Sequence, residues 1–506
     1  MTDETHPTPP PTPAVPPPRP PSPSALRRRW AGAGRQAGTA TALAALLGAA
    51  VVAAGVPLER PGVGWLLCGV AAAAALSVAA RTAHPRIDQL LWGAATLVLL
   101  AVGTLRAAGW LFALCLLTAL VTGCLAVTGG RSVRGMLLGF VLIPAAVVRA
   151  VPWAGRGLAH GGRGSAGVRV AITAGISIVL LLVFGLLFAS ADAVFADLLD
   201  QALPDLGPLT VVRVLLFFPP AALVLFGGAY LLAAPPDLTG LETPAKRRVR
   251  RLEWLVPILL LDVLFTVFVL VQLTVLFGGA RYVLTDHGPT FAEYARSGFW
   301  QLLAVTVLTL PVLGGAARWA PRDNRLDRIL IRVLLGALAV LTLVIVASAL
   351  YRMHVYQQAY GFTRLRILVS AYELWLGFLF VLVLAAGIHL RATWLPRVAA
   401  ASAVLALLGL VALDPDRFIA DQNIDRYQAT GRIDVDYLSG LSADAVPALD
   451  RLPGQLRDCA LSDIAEELTD HPDGWRGWNL ARRRALDLLA ADPPQPSDPA
   501  CSAGYR

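Results

Sequence analysis

Two carboxylates inside apolar runs are the side chains of this sequence best placed to do chemistry. Asp262 stands in LLLDVLFTVF, about eight residues into its run, with Thr266 following at i+4 on the same helical face. That places it ~12 Å from the nearer edge at helical rise. A carboxylate at such depth is costly to desolvate and points to a proton or cation site. The structural alternative is an ion pair with Arg332 on a later run, or a neutral, hydrogen-bonded Asp. Glu373, flanked by Tyr372 and Trp375, lies about six residues from the opposite edge of its own run. Its structural alternative is an interfacial glutamate pairing with Arg364 or Arg366. Counted from the two faces, the depths of Asp262 and Glu373 differ by roughly 9 Å, too much for a carboxylate pair.

The polar loops between the runs hold the other candidates. In the acidic stretch ASADAVFADLLDQALPD (189–205), Asp192 is placed to N-cap a short helix. Pro289-Thr290-Phe-Ala-Glu293 reads as a capping box, which gives Glu293 a structural task, and Glu293 and Arg296 stand at i, i+3. Tyr294, Tyr351, Tyr356 and Tyr360 suit an aromatic belt at the bilayer edge. Taken together, Asp192, Glu293, Tyr294, Arg296, Arg364 and Arg366 are the inventory of a cleft for an anionic or lipid-linked ligand, and equally of any wet membrane surface. No phosphate-binding glycine loop, nucleophile elbow or zinc-binding His pair occurs, and the histidines lack ligand spacing. No metal and no cofactor is expected.

These side chains must be positioned by membrane helices. The chain has 506 residues, 56% hydrophobic and 15% charged, with a mean hydropathy of +0.62. A soluble domain carries about 25% charged residues. Runs of ~20 apolar residues long enough to cross ~30 Å of hydrocarbon fall at 39–57, 62–80, 87–104, 108–128, 168–189, 209–234, 254–277, 299–317, 329–350, 367–390 and 397–413. A further run, 135–151, contains Pro144 and Arg149 and has basic loops on both sides, so it reads as an interfacial or re-entrant helix. The expectation is therefore an all-α polytopic bundle of about eleven spans. Pro219–Pro220 and Pro257, inside two of them, should kink or unwind their helices.

The net charge is +9, unevenly spread. From Asp414 onward, 17 Asp and Glu stand against 10 Arg, so the remainder is strongly basic. The basic clusters lie in short loops beside apolar runs, where they hold loops in the cytoplasm. The predicted arrangement is a bacterial plasma-membrane protein with a cytoplasmic N-terminus and an extracytoplasmic tail. The positive charge belongs to these loops, and no nucleic-acid partner is expected.

Domain organisation follows: a disordered, Pro-rich cytoplasmic leader (1–36), N-terminal spans with the interfacial helix (37–165), a membrane core (166–413), a small helical tail (414–492) and a disordered end (493–506). In the tail, Ser442 stands as an N-cap with Asp444 in the first turn, and WNLARRRALDLLA (478–490) reads as an amphipathic helix. In an oxidising exterior, Cys459 and Cys501 are a candidate disulfide; two free thiols are the alternative.

Five segments in order, SADAVF (190–195), FAEYARSGFWQL (291–302), YGFTRLR (360–366), DQNIDRY (421–427) and YLSGLSADAVPAL (437–449), carry a resemblance. Over roughly 170–450 the chain resembles the bacterial multi-pass membrane family named domain-of-unknown-function 4173, with its relative 4153. The resemblance implies that these motifs form one module with the spans, and it transfers no catalytic role. The expected function is a non-enzymatic transport, sensing or envelope-assembly component, binding the bilayer and a protein or anionic or lipid ligand at an outer-face polar cleft. The alternative is a membrane enzyme acting on a lipid-linked substrate at the outer leaflet.

Overall fold

The computed structural model describes residues 37–81, 86–129, 208–234, 250–277, 299–322, 324–390 and 392–495, with short pieces between 136 and 198. The leader, most of 168–189, the 278–298 loop and residues 496–506 lie outside the described residues. Among the described residues every regular element is a helix. In the membrane part these are α1 (Thr39–Gly55), α2 (Val63–Ala80), α3 (Ile87–Leu105), α4 (Gly109–Thr128), α5 (Pro208–Ala233), α6 (Arg251–Phe277), α7 (Phe299–Trp319), α8 (Arg325–Tyr360), α9 (Arg364–His389) and α10 (Leu395–Leu413). Nine of them, α2 to α10, are long and apolar enough to cross a bilayer, and α1 is a shorter apolar helix of 17 residues. The protein is an all-α polytopic helix bundle.

Their outer surfaces are as apolar as their seams. On α6, Leu260, Val263 and Leu264 are exposed while Trp254, Ile258, Phe265 and Val269 are buried, with Asp262 on the buried face. Water would not tolerate such a surface, whereas lipid does. Two expectations are narrowed. Pro219, Pro220 and Pro257 sit inside α5 and α6, which stay helical through them, so the helices do not unwind there. Each proline removes only one internal bond, and in an apolar surround the remaining ladder is worth keeping. The 329–350 run is only part of α8, whose 36 residues extend for about 54 Å. Polar residues after Leu350 continue the helix because no breaker intervenes until Gly361, at φ +80°.

After α10 the chain folds into a helical tail: α11 (Pro415–Thr430), α12 (Val435–Ser439), a 3-10 turn (Ala443–Ala445), α13 (Val446–Leu449), α14 (Gly454–Asp470) and α15 (Leu480–Ala491). Its apolar core is continuous with the bundle. Leu449, Leu461 and Ala485 of the tail share one cluster with Leu111 of α4, Ile367 of α9 and Leu410 of α10.

The tail lies across the turns α1–α2, α3–α4 and α8–α9, which therefore share one face of the bundle. At the opposite ends, Ala37, Ala79 and Ala229 to Leu231 form a cluster with Ala146, Ala150, Trp153 and Ala154. Trp153 and Tyr230 meet edge to face at 5.6 Å. Helix α4 ends beside this second cluster, which Val127 packs against, and α5 starts from the tail face.

Candidate functional site

Polar chemistry concentrates in two places: the seam beneath the tail, and isolated carboxylates within the bundle. The seam begins where α10 must end. Asp414 takes a left-handed conformation (φ 56°), which Asp tolerates better than most residues, and Pro415 opens α11 at once. This turn carries Asp416, 0% exposed, under the first residue of α9. The Arg364 guanidinium donates from Nε to Asp416 Oδ1 at 2.9 Å and from Nη2 to Oδ2 at 2.6 Å. Trp110 Nε1 on α4 donates to Oδ1 at 3.2 Å, and the Ser442 amide to Oδ2 at 3.0 Å. One carboxylate thus joins α4, α9, α11 and the 3-10 turn. The Arg364 amide donates to Tyr437 Oη at 2.7 Å.

Burial pushes the Asp416 carboxyl up, but the Arg364 bonds and charge, with Ser442, hold it below the ordinary carboxylate range. Its neighbour behaves oppositely. Asp444 Oδ2 accepts the amides of Ala107 at 2.8 Å and Ala108 at 2.9 Å, the donors that open α4, and the Ser442 hydroxyl at 3.1 Å. Burial first, then the charge of Asp414, push Asp444 up to about 6. Asp414, paired with Arg106, is also raised by burial, with Arg106 opposing.

The expected capping at Ser442 is therefore reversed in direction. Ser442 precedes the 3-10 turn but makes no side-chain cap bond, and Asp444 caps a helix of the bundle. Two asparagines complete the seam. Asn479 donates to the carbonyls of Gly103 and Arg106, both at 2.8 Å, and accepts the Arg482 amide as N-cap of α15. Asn423 exchanges bonds with the Phe362 amide (3.1 Å) and carbonyl (2.9 Å).

The chain from α3 to α13 matches one family, described as domain of unknown function (DUF4153), over residues 94–452. It belongs to the DUF4153 family. The match starts far earlier than the 170 expected from the motifs, taking in α3 and α4 with Arg106 and Trp110. It ends after Asp444 and before Asn479, so the core of the seam lies inside the DUF4153 region. The family named first from the motifs, 4173, is not shown; the match is to the one named there as its relative. No curated protein and no solved structure matches the chain.

Inside the bundle, α6 and α8 run parallel, tied at both ends with one register. Arg251 meets Asp327 at 2.7 Å. At the same offset of 76 residues, Gln272 accepts from Ser348 Oγ at 3.0 Å, and also from Arg352 Nη2 at 2.7 Å. A cavity of about 250 Å³ beside this second tie is lined by Gln272, Leu273, Val344, Ala347, Ser348 and Tyr351. The register sets Asp262 level with Leu338. Asp262 is 7% exposed and neither carboxylate oxygen has a hydrogen-bond partner. The Thr266 hydroxyl donates to the Asp262 carbonyl and leaves the carboxylate alone.

Glu373 is still more enclosed, 1% exposed, again with both oxygens unpartnered. It lies between Ser370, which accepts from Gln357, and Gly377, which packs on Val346. The expected pairing with Arg364 or Arg366 does not form. Arg366 donates to the carbonyls of Tyr360 and Gly361 and lies 4.4 Å over the Tyr356 ring. Along α8, Asp262 and Glu373 differ in level by roughly 20 Å, about double the expectation.

The remaining candidates are scattered. Asp192 Oδ1 accepts the amides of Val194 at 2.8 Å and Phe195 at 3.2 Å, so it is a helix cap. Glu293, Tyr294 and Arg296 lie outside the described residues. Cys459 is disulfide-bonded, while Cys501 lies outside the described residues; Cys68, Cys115 and Cys124 are free. Among the described residues no cluster of three metal-ligating side chains occurs. Gln272, Asp416, Asp444 and Asn479 were missed as site residues. Asp444 and Asn423 stood within motif segments, yet nothing local marked their partners.

Proposed function

We propose that this DUF4153 protein is a non-enzymatic transport or sensing component of the plasma membrane, in which Glu373 binds a proton or small cation. The observation that carries this reading is Glu373 itself: fully enclosed within a membrane helix, both oxygens without a hydrogen-bond partner. Such a group is retained against a desolvation cost that a glutamine or leucine would avoid. Asp262 is a second carboxylate of the same kind, too distant to share an ion with it.

Orientation follows from charge. Arg81 and Arg86 between α2 and α3, and Arg318, Arg322, Arg325 and Arg328 around the α7–α8 turn, gather on the face opposite the tail. By the positive-inside bias that face is cytoplasmic and the tail is extracytoplasmic. The alternative enzyme, acting on a lipid-linked substrate, needs carboxylates open to a groove. Asp192 caps its own helix, and Asp416 is filled by four donors, which favours the transport or sensing reading.

A hydrophobic carbodiimide, which attacks protonated carboxyls within membranes, tests this. Labelling at Glu373 that is lost in Glu373→Gln, with normal expression and loss of proton uptake in proteoliposomes, is expected. Unlabelled Glu373, or Glu373→Gln with unchanged proton uptake, overturns the reading.

A further inference from the structure

The loop between α14 and α15, HPDGWRGWN (471–479), makes contacts that the seam does not require. It closes the α1–α2 hairpin: the Val63 amide donates to the Trp478 carbonyl at 3.0 Å and the Gly64 amide to the Arg476 carbonyl at 2.9 Å. These are orphan donors of the α2 N-terminus. Arg476 Nε in turn donates to the Ala54 carbonyl at the end of α1. The loop is thereby fixed at the level where α1 leaves and α2 enters the apolar layer. Trp475 and Trp478 remain 57% and 43% exposed there, and the Arg476 guanidinium lies 4.7 Å over the Trp475 ring.

A second guanidinium reaches the same place from α5. Helices α1 and α5 run antiparallel, Gly48 against Leu225, so Arg213 near the start of α5 stands beyond the end of α1, beside the loop. Arg213 Nε is buried without a hydrogen-bond partner, and Arg213 has no ion pair among the described residues. Burial first, then the positive charge of Arg213, hold Arg476 below the usual arginine range. Asp473 is occupied by Arg482 at 2.8 Å and Glu467 by Arg60 at 3.1 Å, while Glu59 of the same turn is exposed and makes no ion pair among the described residues.

Two arginines at one level of the hairpin, neither paired with a carboxylate among the described residues, suit an anion. Exposed tryptophans at the same level favour the polar–apolar boundary of a bilayer, and guanidinium forks match phosphate oxygens. We propose that Arg213 and Arg476, flanked by Trp475 and Trp478, bind the phosphate of an anionic phospholipid headgroup at the edge of the α1–α2 hairpin. This site shares no residue with Glu373, and either proposal can fail without the other.

The test uses the full chain in mixed micelles, with retained phosphatidylglycerol and phosphatidylcholine counted by native mass spectrometry. Wild type should prefer phosphatidylglycerol, and Arg213→Gln should reduce that preference about fivefold, the worth of one surface guanidinium. Arg213→Lys should restore most of it. Arg213→Gln leaves the Arg476–Ala54 bond in place, so the fold is kept, which thermal unfolding in phosphatidylcholine micelles checks. Equal lipid preference in wild type and Arg213→Gln overturns the proposal. So does inorganic phosphate at millimolar concentration displacing all retained phosphatidylglycerol, since the site would then be one for a soluble anion.

Discussion

Arg364 and Asp416 meet in a two-point contact, Nε to Oδ1 at 2.9 Å and Nη2 to Oδ2 at 2.6 Å, across the boundary between bundle and tail. The planar guanidinium fixes both the distance and the angle between α9 and α11. Asp416→Ala should leave Arg364 without its counter-charge and strip Trp110 of its acceptor. The expected loss is about 3 kcal/mol, the low end for a broken buried pair, because the Arg364 side chain keeps 34% exposure. Limited proteolysis should then cut the tail free of an intact bundle. Unaltered protection would show that the apolar core alone holds the tail.

Asp444 makes the docking of the tail depend on pH. Its pKa in the docked state, about 6, stands above the ordinary 3.8, so the docked state holds the proton more tightly. The contribution of this group is therefore fully present below pH 3.8 and falls as pH rises through about 6. Asp416, held low, acts in the opposite sense: its contribution is present above the ordinary value and lost in stronger acid. Asp444→Asn keeps an oxygen for the Ala107 and Ala108 amides and removes the charge. The variant should be as stable as wild type at pH 4 and more stable at pH 7, by at most about 3 kcal/mol. Thermal unfolding across pH 4–7 checks this; identical curves for the two proteins would refute it.

Gly62 tests how closely the tail loop approaches the first hairpin. A Cβ at Gly62 would fall 2.2 Å from the Gly477 carbonyl carbon. Because both sides of that contact are backbone, nothing short of moving the loop relieves it. Gly62→Ala should destabilise by about 1–3 kcal/mol and raise the reactivity of the loop to a water-soluble tryptophan oxidant. Gly109→Ala, which meets nothing within 4 Å, is the control and should be silent.

Cys459 is bonded, and the remaining unassigned cysteine of the five is Cys501. We expect the two to form a bridge that ties the end of the chain to α14. Cys501→Ser should free one thiol for alkylation at Cys459 and cost about 2–4 kcal/mol in the tail. Absence of a newly alkylated thiol after denaturation would place the partner of Cys459 elsewhere.

What the sequence determined is the part of the protein that depends on neighbours in the chain. Apolar length is a local property, so the described membrane helices other than α8, which runs ten residues past its apolar run, were readable to within a few residues, as was α15. The family was legible only in part: the segments pointed to 4173 with 4153 as its relative, and the start of the DUF4153 match at residue 94 was not foreseen. The tertiary structure decided everything that joins distant segments. Asp444 and the Ala107 amide are 337 residues apart, and Asn479 and Gly103 are 376 apart. A polar side chain in a sequence shows what it can bond to, not what it reaches. Arg364 and Arg366 looked available for a ligand until the fold spent them on Asp416 and on the Tyr360 and Gly361 carbonyls, while Glu373, which looked paired, was left alone.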